Sequence, residues 1–204
     1  VPMRHDSVDV NQFKGCYRYW FGQNNLVDPY YAQEAPIESI PIGFENRRWD
    51  RGGEKEFVLN NIKQISAHKD MYFNCNIATN MTERSRCLEY ASQYDFVTVE
   101  ENNLSYPQYF QTIQQYRYVI SPMGNGMDCH RTWEILLAGR RPVMKVHMGL
   151  LRLYSSDVHW VQDWNNMEFE ESFENMYERD RSLFNRAKLY QQYWNERIYK
   201  LASI

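Results

Sequence analysis

A loop with two glycines separates a strand-length apolar run from a helix-length segment at residues 121–128 (SPMGNGMD). Glycine at such a junction lets backbone N–H groups approach an anion closely. The start of the following helix adds free N–H donors and the positive end of the helix dipole. A phosphate group is therefore the predicted ligand of this loop. The residues predicted to line it are Ser121, Gly124, Asn125, Gly126 and Asp128, and Asp128 is also predicted to cap the helix.

Arg131 and Glu134 follow this loop three residues apart, so a helix places them on one face. One interpretation is a surface ion pair, which contributes only about 0.3 kcal/mol. In the functional interpretation, Arg131 neutralises a diphosphate and the Glu134 carboxylate accepts two hydrogen bonds from a ribose diol. His130 sits at the same helix start, where it can donate to a phosphate or serve as a packing residue. The position beside a glycine loop favours the functional interpretation.

The composition is that of a globular protein without a membrane span. The 204 residues are 43% hydrophobic and 24% charged, and no run of about 18 apolar residues occurs. The formal net charge is -3, and Lys and Arg are interspersed with acidic residues, so nucleic acid is not an expected partner. The length suits one large domain or two small lobes around a cleft.

Aromatic residues make up 16% of the chain, and their flat apolar faces suit sugar-handling clefts as well as ordinary cores. The four cysteines form no CxxC pair, so neither a zinc knuckle nor a disulfide framework is predicted. The chain begins at Val1 without a signal segment, which predicts a cytoplasmic domain of a longer polypeptide. Sequons at Asn80 and Asn103 leave a secretory lumen open as an alternative.

Strand-length apolar runs alternate with helix-length segments, which predicts an α/β fold with a parallel sheet covered by crossover helices. Apolar residues near i, i+3 and i+4 mark the helices, and a polar segment around residues 100–105 is a candidate lobe boundary. The predicted strands are residues 17–21, 39–42, 71–77, 96–99, 118–121, 142–146 and 158–161. The predicted helices are residues 54–68, 83–93, 106–116 and 129–138, with two more between residues 169 and 201.

The wording of residues 118–145 (YVISPMGNGMDCHRTWEILLAGRRPVMK) resembles the C-terminal signature of exostosin-like glycosyltransferases and their relatives in algae, large DNA viruses and bacteria. Four shorter blocks are similar to the same family. These blocks are residues 20–24 (WFGQN), 40–49 (IPIGFENRRW), 76–84 (NIATNMTER) and 161–164 (VQDW).

The resemblance implies a GT-B-like architecture of two small Rossmann-like lobes with a cleft between them. Residues 1–102 would form a reduced acceptor-side lobe. Residues 103–204 would form the nucleotide-sugar-binding lobe, closed by C-terminal helices. A full two-lobed transferase is usually longer than this chain. The residues that this chain lacks by comparison would belong to the acceptor-side lobe.

The resemblance also implies metal-independent transfer without a cofactor, and the chain has no Asp-x-Asp pair of the kind that chelates a divalent ion. Arg131 and Lys145 would then stabilise the leaving diphosphate together with the helix start. Thr79 and Arg84 are expected to contact the diphosphate as well. The structural alternative there is a helix start capped at Thr82.

A transferase of this kind needs a base that takes the proton from the acceptor hydroxyl as its oxygen attacks the anomeric carbon. By analogy with the His- and Asp-containing segment that opens relatives of this family, the predicted base is His5 or Asp9. Asp28 and Glu34 are further candidates, and each of these residues is also open to interpretation as a solvated charge.

The function implied by the resemblance is an inverting glycosyltransferase that moves a sugar from a nucleotide diphosphate sugar to a glycan hydroxyl. A UDP-sugar is favoured over a GDP-sugar, and a viral rhamnosyltransferase domain among the relatives makes UDP-L-rhamnose a candidate donor. The main alternative is a non-catalytic nucleotide-sugar or glycan-binding module. A phosphate-handling enzyme of another kind is disfavoured, because neither GxxxxGK[ST] nor GxGxxG occurs.

Overall fold

A computed structural model describes residues 19–24, 37–44, 56, 66–101, 103–167, 169, 172–181 and 185–203. Its first sheet is a parallel pair of short strands, β1 (Trp20–Gly22) and β2 (Ile37–Ser39), in which Phe21 lies opposite Glu38. The second sheet is larger and is also parallel. Its strands are β3 (Lys69–Phe73), β4 (Val97–Val99), β5 (Tyr116–Ile120), β6 (Arg141–Lys145) and β7 (His159–Val161).

The five strands of the larger sheet lie side by side in the order β4-β3-β5-β6-β7. The chain enters the sheet at β3 and adds β4 on one side of it. It then adds β5, β6 and β7 in turn on the other side. It is one of the two common orders of doubly wound α/β sheets. The parallel pairing and the helices of the described residues together confirm the predicted α/β fold.

Helices connect and cover these strands. They are α1 (Met81–Ala91), α2 (Tyr106–Ile113), α3 (His130–Leu137), α4 (Met148–Tyr154), α5 (Phe173–Arg181) and α6 (Gln191–Ala202). Short 3₁₀ turns occur at Ile77–Thr79, Ser155–Asp157 and Arg186–Leu189. No helix of the described part of the chain is long and apolar enough to cross a membrane.

The two faces of the larger sheet carry separate apolar clusters, because successive side chains of a strand point to opposite faces. Met71 and Phe73 of β3 pack with residues of α1 and α5 on one face. Tyr72, between them, packs with α2 and α3 on the other face. A third cluster joins α3 to α4 and includes Ile42 and Phe44, which follow β2. The segment that follows β2 therefore packs against the cluster between α3 and α4.

Each of the seven predicted strands overlaps an observed strand, and two C-terminal helices occur as predicted. The predicted helix at residues 54–68 falls mostly outside the described residues. Helix α4 was not predicted, although Leu150, Leu153 and Tyr154 follow helical spacing. Strands β3 and β4 precede residue 102 and pair in one sheet with β5, which follows it. The predicted boundary at residue 102 therefore runs through a single sheet.

Candidate functional site

The chain order of the larger sheet reverses between β3 and β5, so the loops that leave their carboxyl ends diverge to opposite sides. In open α/β sheets, ligands bind in the crevice at such a point. Here the two loops are residues 74–80, after β3, and residues 121–129, after β5. The second loop is the glycine loop that was predicted to bind an anion.

Arg84 of α1 is hydrogen-bonded to both loops. Its Nε donates to the carbonyl oxygen of Met123 at 3.0 Å, and its Nη1 donates to that of Asn76 at 2.7 Å. The residue is only 6% exposed. Among the residues that the structure describes, no carboxylate lies within ion-pair distance of it. A buried cation satisfied only by carbonyl dipoles leaves a net positive charge in the crevice, which favours an anion there.

Gly124 is held tightly within the crevice. Its N–H lies 3.0 Å from the Gly126 carbonyl oxygen and 3.1 Å from Cys129 Sγ, and its own carbonyl accepts a hydrogen bond from Asn80 Nδ2 at 2.9 Å. A Cβ atom on Gly124 would lie 2.9 Å from Arg84 Nη2 and 3.3 Å from Cys129 Sγ. A side chain at this position would therefore force the guanidinium to shift. One N–H group predicted to bind phosphate is used within the loop itself.

We expect Gly124→Ala to displace Arg84 and to weaken anion binding at least tenfold, because the added methyl group occupies the space of a guanidinium nitrogen. The measurement is the dissociation constant of UDP by isothermal titration calorimetry. Gly139→Ala is the control, since Gly139 lies at the end of α3 with φ +71 and tests the general cost of replacing a glycine. Equal UDP affinity in wild type and Gly124→Ala would contradict the expected displacement.

Arg131 lies in the first turn of α3 and stacks on an aromatic ring. Its Cζ atom is 4.7 Å from the centroid of Tyr109 in α2. Its Nη1 atom is buried and has no hydrogen-bond partner among the described residues, and the same holds for Tyr109 Oη. Burial acts to lower the pKa of Arg131, but nearby Tyr109 and Glu134 raise it overall, so the guanidinium remains charged. A cation with an unused donor is thus held beside the glycine loop.

Two thiols are close enough to both guanidinium groups to be influenced by their charges. Burial raises the pKa of Cys75, which follows β3, while the charges of Arg131 and Arg84 oppose the rise. Burial likewise raises the pKa of Cys129, and Arg84 and Arg131 again oppose it. The charges of both arginines therefore act on the same two thiols.

Glu134 is 8% exposed and lies one turn beyond Arg131, so the structure keeps the predicted pair on neighbouring turns of α3. Thr79 is close to the glycine loop, because its Cγ2 would lie 3.5 Å from a Cβ atom on Gly124. Asn125 is exposed at the tip of the loop. Lys145 ends β6 and pairs with Glu83 of α1, with Nζ and Oε2 3.0 Å apart.

Asp128 does not cap α3, and that prediction was wrong. The N-cap residue is Cys129, which makes no side-chain cap bond. The Asp128 carboxylate instead turns inward and is 1% exposed. Its partners are the Ile42 N–H at 2.7 Å, Trp133 Nε1 at 2.9 Å and the Tyr154 hydroxyl. It therefore joins the segment after β2 to α3 and α4.

Two other residues of the predicted set also serve as internal links. Ser121 is 2% exposed, and its hydroxyl lies 2.9 Å from that of Thr132, so the pair closes the gap between the loop and α3. His130 Nδ1 lies 2.7 Å from the Gly43 carbonyl oxygen. Since a carbonyl only accepts, Nδ1 carries the proton, and Nε2 is the nitrogen that remains for a ligand.

The candidate bases His5 and Asp9, with Asp28 and Glu34, lie outside the described residues. The structure adds residues that sequence reasoning missed. Asn24 Oδ1 accepts from the Asp128 N–H at 2.6 Å and packs on Gly126. Asn24 lies in one of the blocks similar to the exostosin-like family, and this was its one signal in the sequence. Glu83 and Trp164 likewise lie in such blocks, whereas Tyr109 does not. The contacts of all three were missed because their partners are distant in the chain.

Neither a scan of this chain against protein-family models nor a search of curated proteins found a match.

Proposed function

We propose that this chain is a glycosyltransferase domain that binds a nucleotide diphosphate sugar at the crevice between β3 and β5. The observation that carries the proposal is the buried Arg84 guanidinium, which has carbonyl partners but no carboxylate among the described residues. Arg131 adds a second cation with an unused donor. Two guanidinium groups at a sheet switch point match the charge of a diphosphate.

Glu134 follows Arg131 on α3 at the distance of one helical turn, where its carboxylate is suited to the hydroxyls of a ribose. A nucleotide would then lie across α3, with the diphosphate near the glycine loop and the nucleoside beyond it. The similarity to exostosin-like transferases extends this binding site to sugar transfer. It also suggests a GT-B-like arrangement in which the small sheet of β1 and β2 belongs to the acceptor side.

The reaction proposed is a single displacement. The acceptor hydroxyl oxygen forms a bond to the anomeric carbon, and the bond from that carbon to the diphosphate oxygen breaks. The electron pair leaves with the diphosphate, and the hydroxyl proton passes to a base, for which Asp9 and His5 remain the candidates. Arg84, Arg131 and Lys145 balance the charge that develops on the leaving group, without a metal ion. UDP is the favoured nucleotide, and UDP-L-rhamnose is one candidate donor.

The test is a thermal-shift screen of nucleotide diphosphates and their sugars, followed by NMR detection of sugar release or transfer. We expect UDP or a UDP-sugar to raise the melting temperature of the wild type. Arg131→Ala and Glu134→Ala should each weaken the nucleotide affinity at least tenfold, because each loses charged hydrogen bonds of about 1.5–3 kcal/mol. Glu89→Ala, an exposed position of α1, is the matched control.

If no nucleotide shifts the melting temperature, or if both substitutions leave the shift intact, the donor site is assigned wrongly. Binding that persists without any sugar release or transfer would favour the nucleotide-sugar-binding module over the enzyme.

A further inference from the structure

A charged cluster at the carboxyl end of β6 joins three elements. Lys145 Nζ lies 3.0 Å from Oε2 of Glu83, which is in the first turn of α1. Oε1 of the same carboxylate accepts a hydrogen bond from Trp164 Nε1 at 2.8 Å. The side chains of Lys145 and Glu83 are 22% and 12% exposed, and Trp164 is fully buried. Both carboxylate oxygens are engaged, which fixes the carboxylate and, through it, the ammonium group.

Asn80 connects this cluster to the glycine loop of the crevice. Its Oδ1 accepts from the Glu83 N–H at 3.3 Å, and its Nδ2 donates to the Gly124 carbonyl oxygen at 2.9 Å. Burial raises the pKa of the Cys87 thiol in α1, Glu83 adds to the rise, and Lys145 and Arg84 oppose it. The charges of Lys145 and Arg84 therefore both act on this thiol. The carboxylate of Glu83 cancels the charge of Lys145 there, whereas among the described residues Arg84 donates to carbonyl oxygens and meets no carboxylate.

We propose that Glu83 is a positioning residue of the donor site, which holds Lys145 in place for the diphosphate and lowers the affinity of the site for that anion. The inference rests on the proposed function, since it takes a diphosphate as the ligand. A carboxylate beside the ammonium repels an incoming diphosphate and competes with it for Lys145. The same carboxylate keeps the ammonium from moving away from the leaving group during transfer.

The opposing effects on binding and turnover distinguish this role from a structural one. Glu83→Gln removes the charge but keeps an oxygen that can accept from Trp164. We expect it to bind UDP roughly three- to tenfold more tightly than wild type, and to release sugar from a UDP-sugar at least tenfold more slowly. A residue needed only for the fold would weaken binding when replaced.

The measurements are the UDP dissociation constant by isothermal titration calorimetry and the rate of sugar release by NMR. Glu89→Gln removes the same charge from an exposed position of α1 and should change neither. Glu83→Asp keeps the charge but is too short to reach Lys145 and Trp164 together. It should bind UDP within about twofold of wild type and still release sugar slowly.

The outcomes separate the two proposals. If wild type binds UDP but Glu83→Gln binds it equally or more weakly, the role of Glu83 is wrong and the donor site stands. Should Glu83→Gln fail to fold, normal sugar release by Glu83→Asp would overturn the same inference. If wild type binds neither UDP nor a UDP-sugar, the proposed function fails and this inference fails with it.

Discussion

Replacing Arg84 with methionine is expected to weaken UDP binding by about a hundredfold, the largest effect of any single substitution at this site. Two charge-assisted hydrogen bonds to a diphosphate are worth about 3 kcal/mol or more, and each 1.4 kcal/mol changes an affinity tenfold. Methionine fills a similar volume but carries no charge. Isothermal titration calorimetry with UDP measures the loss directly.

Arg84→Lys is the matched control for this prediction, because it keeps the positive charge. A single ammonium group lacks the forked geometry that serves both Met123 and Asn76, so Arg84→Lys should bind UDP with an intermediate affinity. Melting temperatures of both variants show whether the two loops stay in place. Undiminished UDP binding by Arg84→Met would show that the buried guanidinium holds the loops together and does not meet the ligand.

Asp128→Ala is expected to lower the free energy of unfolding by about 3–5 kcal/mol, since it leaves one half-buried and two buried donors without an acceptor. These donors belong to the backbone of Ile42, the indole of Trp133 and the hydroxyl of Tyr154. Asp128→Asn is the milder variant, because its amide oxygen still accepts from Trp133 while its NH₂ group meets the Ile42 N–H. Urea denaturation of wild type, Asp128→Asn and Asp128→Ala measures their free energies of unfolding, which we expect to decrease in that order. Equal stability of wild type and Asp128→Ala would contradict the role of this carboxylate.

Asp128 should also make the stability of the folded protein depend on pH. Burial raises the pKa of Asp128 above its ordinary value of 3.8, against the opposing hydrogen bonds from Tyr154, Ile42 and Trp133. The folded protein therefore keeps a proton at pH values at which the unfolded chain has lost it. The stability of wild type relative to Asp128→Asn should rise as the pH falls from neutral toward 3.8. Urea titrations between these limits measure it, and a relative stability that falls would contradict the shift.

The strands could be predicted from the sequence because parallel strands buried on both faces read as near-continuous apolar runs. Residues such as Tyr118, Val119 and Ile120 show this pattern in β5. The glycine loop and α3 could be predicted for a similar reason, since turn chemistry and helical spacing are local properties. Helix α4 was missed because it has only 7 residues and contains Gly149, which weakens a helical pattern.

The contacts of the site could not be predicted, because they depend on residues far apart in the chain. Ile42 and Asp128 are separated by 86 positions, and Trp164 and Glu83 by 81. A carboxylate next to a helix start favours the cap position by local preference. The Asp128 carboxylate instead meets three donors, two of them on buried side chains, and these determine its orientation. Local rules therefore located the candidate site but did not identify which of its polar groups hold the fold together.

The side-chain amide of Asn80 links the start of α1 to the glycine loop. Its side-chain oxygen accepts from the Glu83 N–H at the start of α1, while its side-chain nitrogen donates to the Gly124 carbonyl. A displacement of the loop therefore also removes the cap of the helix. This amide, together with the Arg84 bonds to Met123 and Asn76, couples thermal motion of the crevice to fraying of α1. An occupied crevice would therefore also slow the opening of the first turn of α1.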